Sequence, residues 1–321
     1  MNILVTGANG FIGSALCRTL ENAQLNVNAL VRREETPVVG KKLVLDLTAN
    51  QAATALKKIT HNVNAIVHTI GLTHQEAQDA NSESDQFRAV NVETSRLLAE
   101  AAVENNVSLF VYLSSVKAVG ESTPKQANGS VIPFTDDSIP DPRDEYGRSK
   151  LEAERLLIDR LQASNTQLVI LRPPLVYGPG QKGNMRKLFD LVQRRVPLPI
   201  TGITNTRSII SVANLCDAIL TVLTNPRESD KPYFVTDSRL STQQLVENIA
   251  QALAVTTRSF PCPIFFLKVA AALIGKAQDV DKIIGSLVLD DSRFRADYNW
   301  RPQVAIEQVL AQIATREYLS K

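Results

Sequence analysis

Tyr146 and Lys150 stand four residues apart in "DEYGRSKLEAERLL", residues 144–157, at the head of a segment that reads as a helix. One i, i+4 step puts both side chains on the same helix face. A phenol with an ordinary pKa of about 10 exchanges protons poorly near neutrality. A neighbouring ammonium favours the phenolate, which makes the pair a candidate acid/base. Tyrosine and lysine also meet at this spacing on ordinary helix surfaces, so the rest of the chain has to give the pair its meaning. The stretch "TGANGFIG" supplies part of it, with Gly7, Gly10 and Gly13 between a strand-like run and a helix-like one. Gly7 permits a sharp turn, Gly10 lets backbone amides approach a pyrophosphate, and Gly13 lets helix pack closely on strand. The positive end of that helix then faces phosphates.

These residues need a scaffold, and the chain describes one. Apolar runs "NILVTG", "NVNALV", "KLVLDL", "NAIVHTIG", "LFVYLSS" and "QLVILRP" alternate with helical patterns such as 14–22, 93–105 and 146–163. The runs are nearly continuous in Val, Ile and Leu, as strands covered on both faces are. The expected fold is therefore α/β, a doubly wound parallel Rossmann sheet. Beyond Tyr177 the turn-rich "YGPGQKGN" and shorter, mixed elements predict a smaller C-terminal α/β substrate lobe. The expected division is 1–176 for the dinucleotide-binding domain, with some return of chain near 207–224, and 177–321 for the lobe. A long loop, 121–143, carries four prolines and reads as a lid or rim.

With 35 basic and 33 acidic residues the formal charge is +2, so no basic field points to nucleic acid, and small-molecule partners are expected. Cys17, Cys216 and Cys262 are far apart and in no metal-ligand spacing, which predicts free thiols and no metal. A strand-like run begins at Asn2 without a signal-peptide pattern, which predicts a cytoplasmic protein. The apolar stretch 260–275 is interrupted by Pro261, Pro263 and Lys268 and is too short to span a bilayer.

The Gly-x-x-Gly-x-x-Gly spacing together with Tyr-x-x-x-Lys resembles the extended short-chain dehydrogenase/reductases, the NAD-dependent epimerase/dehydratase family. "LFVYLSSVKAVG", "RPPLVYGPG", "TRSIISVANLCDAI" and "RFRADYNWRP" follow in the family's order, so the resemblance covers nearly the whole chain. It implies that Tyr146 is the acid/base, that Lys150 also holds the nicotinamide ribose, and that Ser115 hydrogen-bonds the substrate oxygen. Ser115 is preferred to Ser114 because it lies five residues before Gly120. Cofactor contacts are expected from Gly7, Asn9, Gly10, Phe11, Ile12 and Gly13, from the adenine-side pair Asp46 and Leu47, from Thr69 and Gly71, and from Pro173. The sequence His68-Thr69-Ile70-Gly71 departs from the family's commoner His-Leu-Ala-Ala; His68 reads as structural, and Asn91 as a structural helix-start residue near the site. A substrate diphosphate would meet Arg207 and Asn184; a second family arginine has no match, Lys282 being nearest. A homodimer paired through helices near 93–105 and 146–163 is also implied.

Arg32 stands at the end of the second strand, where an acid would bind the ribose 2′-hydroxyl of NAD. With Arg33 it suits a 2′-phosphate, so NADP is the expected cofactor and NAD the alternative. The resemblance implies a nucleotide-sugar enzyme of surface polysaccharide synthesis, a 4-keto-sugar reductase or a UDP-hexose 4-epimerase. Dehydratases carry an Asp-Glu pair where this chain has Val116-Lys117. Two other readings are a reductase of hydrophobic carbonyls such as steroids or flavonoids, and a non-catalytic NAD(P)-sensing regulator.

Overall fold

The six apolar runs form β1 (Asn2–Thr6), β2 (Asn26–Val31), β3 (Lys41–Val44), β4 (Ala65–His68), β5 (Leu109–Leu113) and β6 (Gln167–Arg172). They lie in one sheet in the order 3-2-1-4-5-6, extended past β6 by a two-residue strand, β10 (Tyr233–Phe234). Every neighbouring pair is parallel, and the order reverses between β1 and β4, which opens a crevice at their carboxyl ends. This computed structural model describes residues 1–72, 83–126, 130–263, 265 and 284–319.

The sheet explains the continuous apolar runs. Successive residues point to opposite faces, and both faces are covered: Ile3, Val5, Val67 and Val111 enter one core, Leu4, Ile66, Phe110 and Tyr112 the other. On the first face lie α1 (Phe11–Asn22) and α7 (Val212–Thr224), through Leu16, Cys17, Leu20, Leu215, Cys216 and Ile219. On the second lie α2 (Ala52–Ile59), α4 (Thr94–Glu104) and α5 (Glu145–Leu161), through Leu56, Leu98, Ala102, Ala153 and Leu157. Only β3 departs from the expected double cover. As the edge strand it exposes Lys41, Lys42 and Val44 and buries no residue fully.

A third core, built on Tyr177, Met185, Phe189, Ile200, Val246 and Leu310, belongs to the carboxyl-terminal lobe. It joins α6 (Asn184–Gln193), α8 (Thr242–Ala252) and α10 (Ile306–Ala314). Two small sheets complete it: β7 (Leu175–Tyr177) beside β9 (Arg207–Ser211) and β11 (Ser238–Leu240), and β8 (Leu198–Thr201) beside β12 (Ser259–Pro261). Chain from beyond residue 177 also returns to the large sheet, as α7, as β10 and as α9 (Ser292–Tyr298), whose Phe294 and Tyr298, with Trp300 after it, pack into the first core. The loop 121–143 is fastened as a rim: Thr123 and Phe134 donate backbone bonds to Ser286 and Val288, and Asp136 pairs with Arg293.

Among the described residues, no helix is long and apolar enough to cross a membrane, and no group of His, Cys, Asp or Glu could hold a metal ion. Cys17 and Cys216 are buried free thiols and Cys262 is half-buried. Most of the apolar stretch 260–275, and Lys282, lie outside the described residues.

One buried ion pair ties α5 to the sheet. Arg172, at the end of β6, donates from Nε and Nη2 to the two carboxylate oxygens of Glu154 at 2.9 and 2.5 Å, and the Ser114 hydroxyl donates to the same carboxylate. Glu154 is 1% exposed and Arg172 5%. Such a pair contributes little net stability, but removing one partner strands the other's charge. Glu154→Leu should therefore lower unfolding free energy by about 3–5 kcal/mol, read from denaturant midpoints. Glu154→Leu/Arg172→Met should recover most of that loss; equal midpoints for single and double variants would show that the stranded charge is not the cause.

Candidate active site

The glycine turn forms an anion cradle at the switch point of the sheet. Gly7 leaves β1 at φ +69°, a left-handed backbone. A Cβ at Gly13 would lie 2.1 Å from the Gly7 carbonyl oxygen, so helix and turn approach each other as only glycine allows. Gly10 caps α1 without any side-chain hydrogen bond, and the first turn carries no acid. The leading N–H groups of α1 thus have no competing side chain, which fits a dinucleotide pyrophosphate. Asn9 is exposed and Phe11 and Ile12 half-buried beside it. Thr69 closes the cradle from β4, its hydroxyl donating to the Thr6 carbonyl at 2.6 Å.

Lys150 joins this cradle to the next strand. Its side chain is buried, 2% exposed, and Nζ donates to the carbonyls of Leu113 at 3.0 Å and Ile70 at 3.4 Å. The Tyr112 ring lies 4.8 Å below, and a Cβ at Gly71 would sit 3.0 Å from Nζ. Burial pushes this ammonium down to about 7, against the opposing pull of Glu154 one turn along α5. Tyr146, one turn before Lys150, is half-buried. Its ring lies against Phe87, 6.2 Å between centroids.

The two serines after β5 are placed differently. Ser114 is buried with its hydroxyl committed to Glu154. Ser115 is half-buried and opens a 3-10 turn, Val116–Ala118, its Oγ accepting from Lys117 N at 3.2 Å. Pro173, past β6, accepts from Val116 N at 3.0 Å and so steadies this turn.

His68 and Asn91 brace the site from within. His68 is fully buried between the Thr6 hydroxyl, 2.8 Å from Nδ1, and Ser95 Oγ, 3.0 Å from Nε2. Burial, then Lys150, holds it well below its ordinary range, so it is neutral. Asn91 was expected to start a helix, but it lies inside a π-helical stretch, Arg88–Glu93, that continues α3 (Glu83–Phe87) into α4. It accepts from Leu72 N at 2.8 Å and donates to Ser149 Oγ at 2.8 Å, tying the loop after β4 to α5.

Farther out, Arg32 is exposed directly after β2. Asp46 accepts from the Thr48 amide and hydroxyl at 3.0 and 2.7 Å, which hold its carboxyl below the ordinary value, with a lesser contribution from Arg32. Leu47 is buried in the second core. In the smaller lobe Asn184 is exposed at the start of α6. Arg207 is half-buried, donating to the Gly285 carbonyl at 3.0 Å, and burial lowers its pKa. The structure thus sets Lys150 beside Gly71, with Tyr146 one helical turn before it on α5 and Ser115 two residues past Leu113, one of its carbonyl partners. The Glu154–Arg172 pair and the ions around Lys117 are additions that the sequence reading missed. Asp144, a cap residue just before α5, was the one readable signal of the second.

The model of the NAD dependent epimerase/dehydratase family matches residues 3–235. The chain belongs to that family. Its members are NAD-dependent enzymes of the extended short-chain dehydrogenase/reductase type, and the glycine cradle fits the pyrophosphate of such a dinucleotide. The chain is 32% identical over 317 residues to a UDP-glucose 4-epimerase of Vibrio cholerae, covering 98% of this chain and 94% of the relative. Among solved structures it resembles MoeE5 in complex with UDP-glucose and NAD, at a TM-score of 0.74 and 24% identity, covering 99% of this chain and 100% of that one. It also resembles the UDP-N-acetylglucosamine 4-epimerase of Bacillus cereus, at a TM-score of 0.77 and 18% identity, covering 98% of each chain.

The buried ammonium has a thermodynamic signature. Lys150's folded value, about 7, lies below its unfolded value of about 10.4, so between the two the native state holds fewer protons and stability rises with pH. The unmodified protein should therefore gain on Lys150→Met by about 1 kcal/mol per pH unit from about pH 7 to about pH 10, measured by urea unfolding. Parallel stability curves would mean that the ammonium is not depressed.

Proposed function

We propose that this chain is a nucleotide-sugar 4-epimerase acting on a UDP-hexose, with Tyr146 as its acid/base. The observation that carries this reading is Lys150, whose ammonium is lodged between the loop after β4 and the end of β5. Tyr146 stands one helical turn before it, and Ser115 two residues past one of its carbonyl partners.

The residues divide the work. The cradle of Gly7, Gly10 and Gly13, with Asn9, Phe11 and Ile12, holds the pyrophosphate of the dinucleotide. Asp46 and Leu47 flank the adenine side, and Thr69, Gly71, Pro173 and Lys150 flank the nicotinamide riboside. The nicotinamide, when bound, accepts and returns hydride at the sugar's C4. Ser115 holds the C4 oxygen by hydrogen bond, and Tyr146 takes the proton from that oxygen and gives it back. Lys150 stabilises the phenolate by its charge. Arg207 and Asn184 hold the substrate's diphosphate. The likeness to the Vibrio cholerae UDP-glucose 4-epimerase along nearly the whole chain supports the epimerase reading.

Arg32 favours a second reading, a 4-keto-sugar reductase that exchanges NADPH. It is exposed where an acid would receive the NAD ribose, and a guanidinium pairs well with a 2′-phosphate. A homodimer paired through α4 and α5 completes the proposal, consistent with Val103 and Ile158 exposed on those helices.

Tyr146→Phe should lower kcat for interconversion of UDP-glucose and UDP-galactose by about 100- to 10,000-fold, with dinucleotide affinity nearly unchanged. Undiminished turnover would remove the acid/base role. Arg32→Asp should weaken NADPH relative to NADH by about 10- to 100-fold, the worth of a charged hydrogen bond, in fluorescence titrations. If the unmodified protein already binds NADH more tightly, the reductase reading fails, and a dinucleotide that stays bound through dialysis favours the epimerase.

A further inference from the structure

Ser115 and Tyr146 come from separate elements, and the residue that fastens one to the other is Lys117. Its backbone N–H is bound by Ser115 Oγ at 3.2 Å. Its carbonyl oxygen presses on the first turn of α5, where a Cβ at Gly147 would lie 2.4 Å away. Its ammonium pairs with Asp144 and, at 2.9 Å, with Glu121. Asp144 in turn caps α5, accepting from Gly147 N at 2.7 Å. The same ammonium stands 6.0 Å from the centre of the Tyr146 ring.

Two carboxylates, Asp144 and Glu121, pair with the Lys117 ammonium in a half-buried setting. Burial pushes Asp144 up, yet the Lys117 and Gly147 bonds hold it well below the ordinary carboxylate range. Other groups near Tyr146 include the Tyr112 hydroxyl from β5 and the apolar ring of Phe87, and Lys150 follows one helical turn along α5. Glu145 is engaged by Arg148 at 3.0 and 2.5 Å, and Glu121 also faces Arg207.

We propose that Lys117 is a positioning residue for the Tyr146 phenol, locking the serine-bearing turn to the tyrosine-bearing turn and cancelling the carboxylates of Asp144 and Glu121 beside it. This rests on the reading of Tyr146 as the acid/base. Without Lys117 the positive charge 6.0 Å from the ring, set against Asp144 and Glu121, is lost, and phenolate becomes harder to form.

The test follows the phenol itself, by carbon NMR of the full chain carrying tyrosine labelled at Cζ and saturated with NAD. The Tyr146 signal is assigned by its loss in Tyr146→Phe. In Lys117→Met its titration midpoint should rise by about half a unit to about two units, the range for one charge at this distance between water-like and protein-like screening. Lys117→Arg, which keeps the charge, should titrate as the unmodified protein does. Asp144→Asn, which keeps a capping side chain, should move the midpoint down, and Lys117→Met/Asp144→Asn should recover about half of the rise. An unmoved midpoint in a folded Lys117→Met overturns the proposal, as does an Arg variant shifted as far as the Met variant. Should Lys117→Met fail to fold, an unmoved midpoint in Asp144→Asn overturns it. Turnover by Tyr146→Phe tests the acid/base reading separately, so either idea can fail without the other.

Discussion

The site depends on one buried ammonium. Lys150 leaves water to sit between the Leu113 and Ile70 carbonyls, above the face of Tyr112. Two neutral acceptors and a ring replace only part of a lysine's hydration, so the arrangement persists because its surroundings are fixed independently. Glu154, one turn along the same helix face, is held by Arg172 and Ser114. Asn91 holds the Leu72 backbone and Ser149. Gly71 leaves room where a side chain would meet the ammonium. Each of these contacts joins α5 to the end of a strand or the loop beyond it, so Tyr146 inherits its place from the lysine's.

The cradle and the lysine share this scaffold. Thr6 links them: its carbonyl accepts from Thr69 beside the glycines, and its hydroxyl meets His68. From His68 the chain of bonds continues through Ser95 to the Asn91 carbonyl. Because Ser95 donates its one hydroxyl proton to Asn91, it accepts from His68, whose Nδ1 then accepts from Thr6. A neutral imidazole is the state that satisfies both neighbours. The depressed pKa and the hydrogen-bond directions give the same answer, and they make His68 a brace between β1, β4 and α4.

Much of this was legible because it rests on local pattern. β2 occupies the residues of its apolar run, α5 begins within a residue of its expected start, and Gly7 and Gly13 meet the conformational demands of the turn. What was missed depends on distant partners. β10 is two residues long, too short for any period, and exists because β6 offers a free edge. Asn91, within the π-helical turn, is bonded to Leu72 and Ser149, partners that its local sequence does not announce. Ser115 is preferred to Ser114 by its register before Gly120, but that Ser114 is committed to Glu154, forty residues later, could not be read locally. Lys117 reads as a surface lysine until Asp144 and Glu121 fold against it.

The rim loop bears on how substrate is admitted. Its four prolines suggested a segment able to close, but Thr123 and Phe134 are paired in backbone fashion to residues 286–290, and Phe134 packs with Leu287 and Leu289. Opening it as a unit would break those bonds and the Asp136–Arg293 pair together. The same anchoring segment supplies the Gly285 carbonyl that holds Arg207. Arg207 is thus presented on a fixed wall, half-buried against the Gly285 carbonyl, and burial lowers its pKa without making it neutral. A guanidinium in that condition gains more from an incoming diphosphate than an exposed one would, because less hydration has to be removed again on binding. On the proposed reading, selectivity for a nucleotide-linked sugar comes from this rigid, partly desolvated cation, and motion of the rim is not required for it.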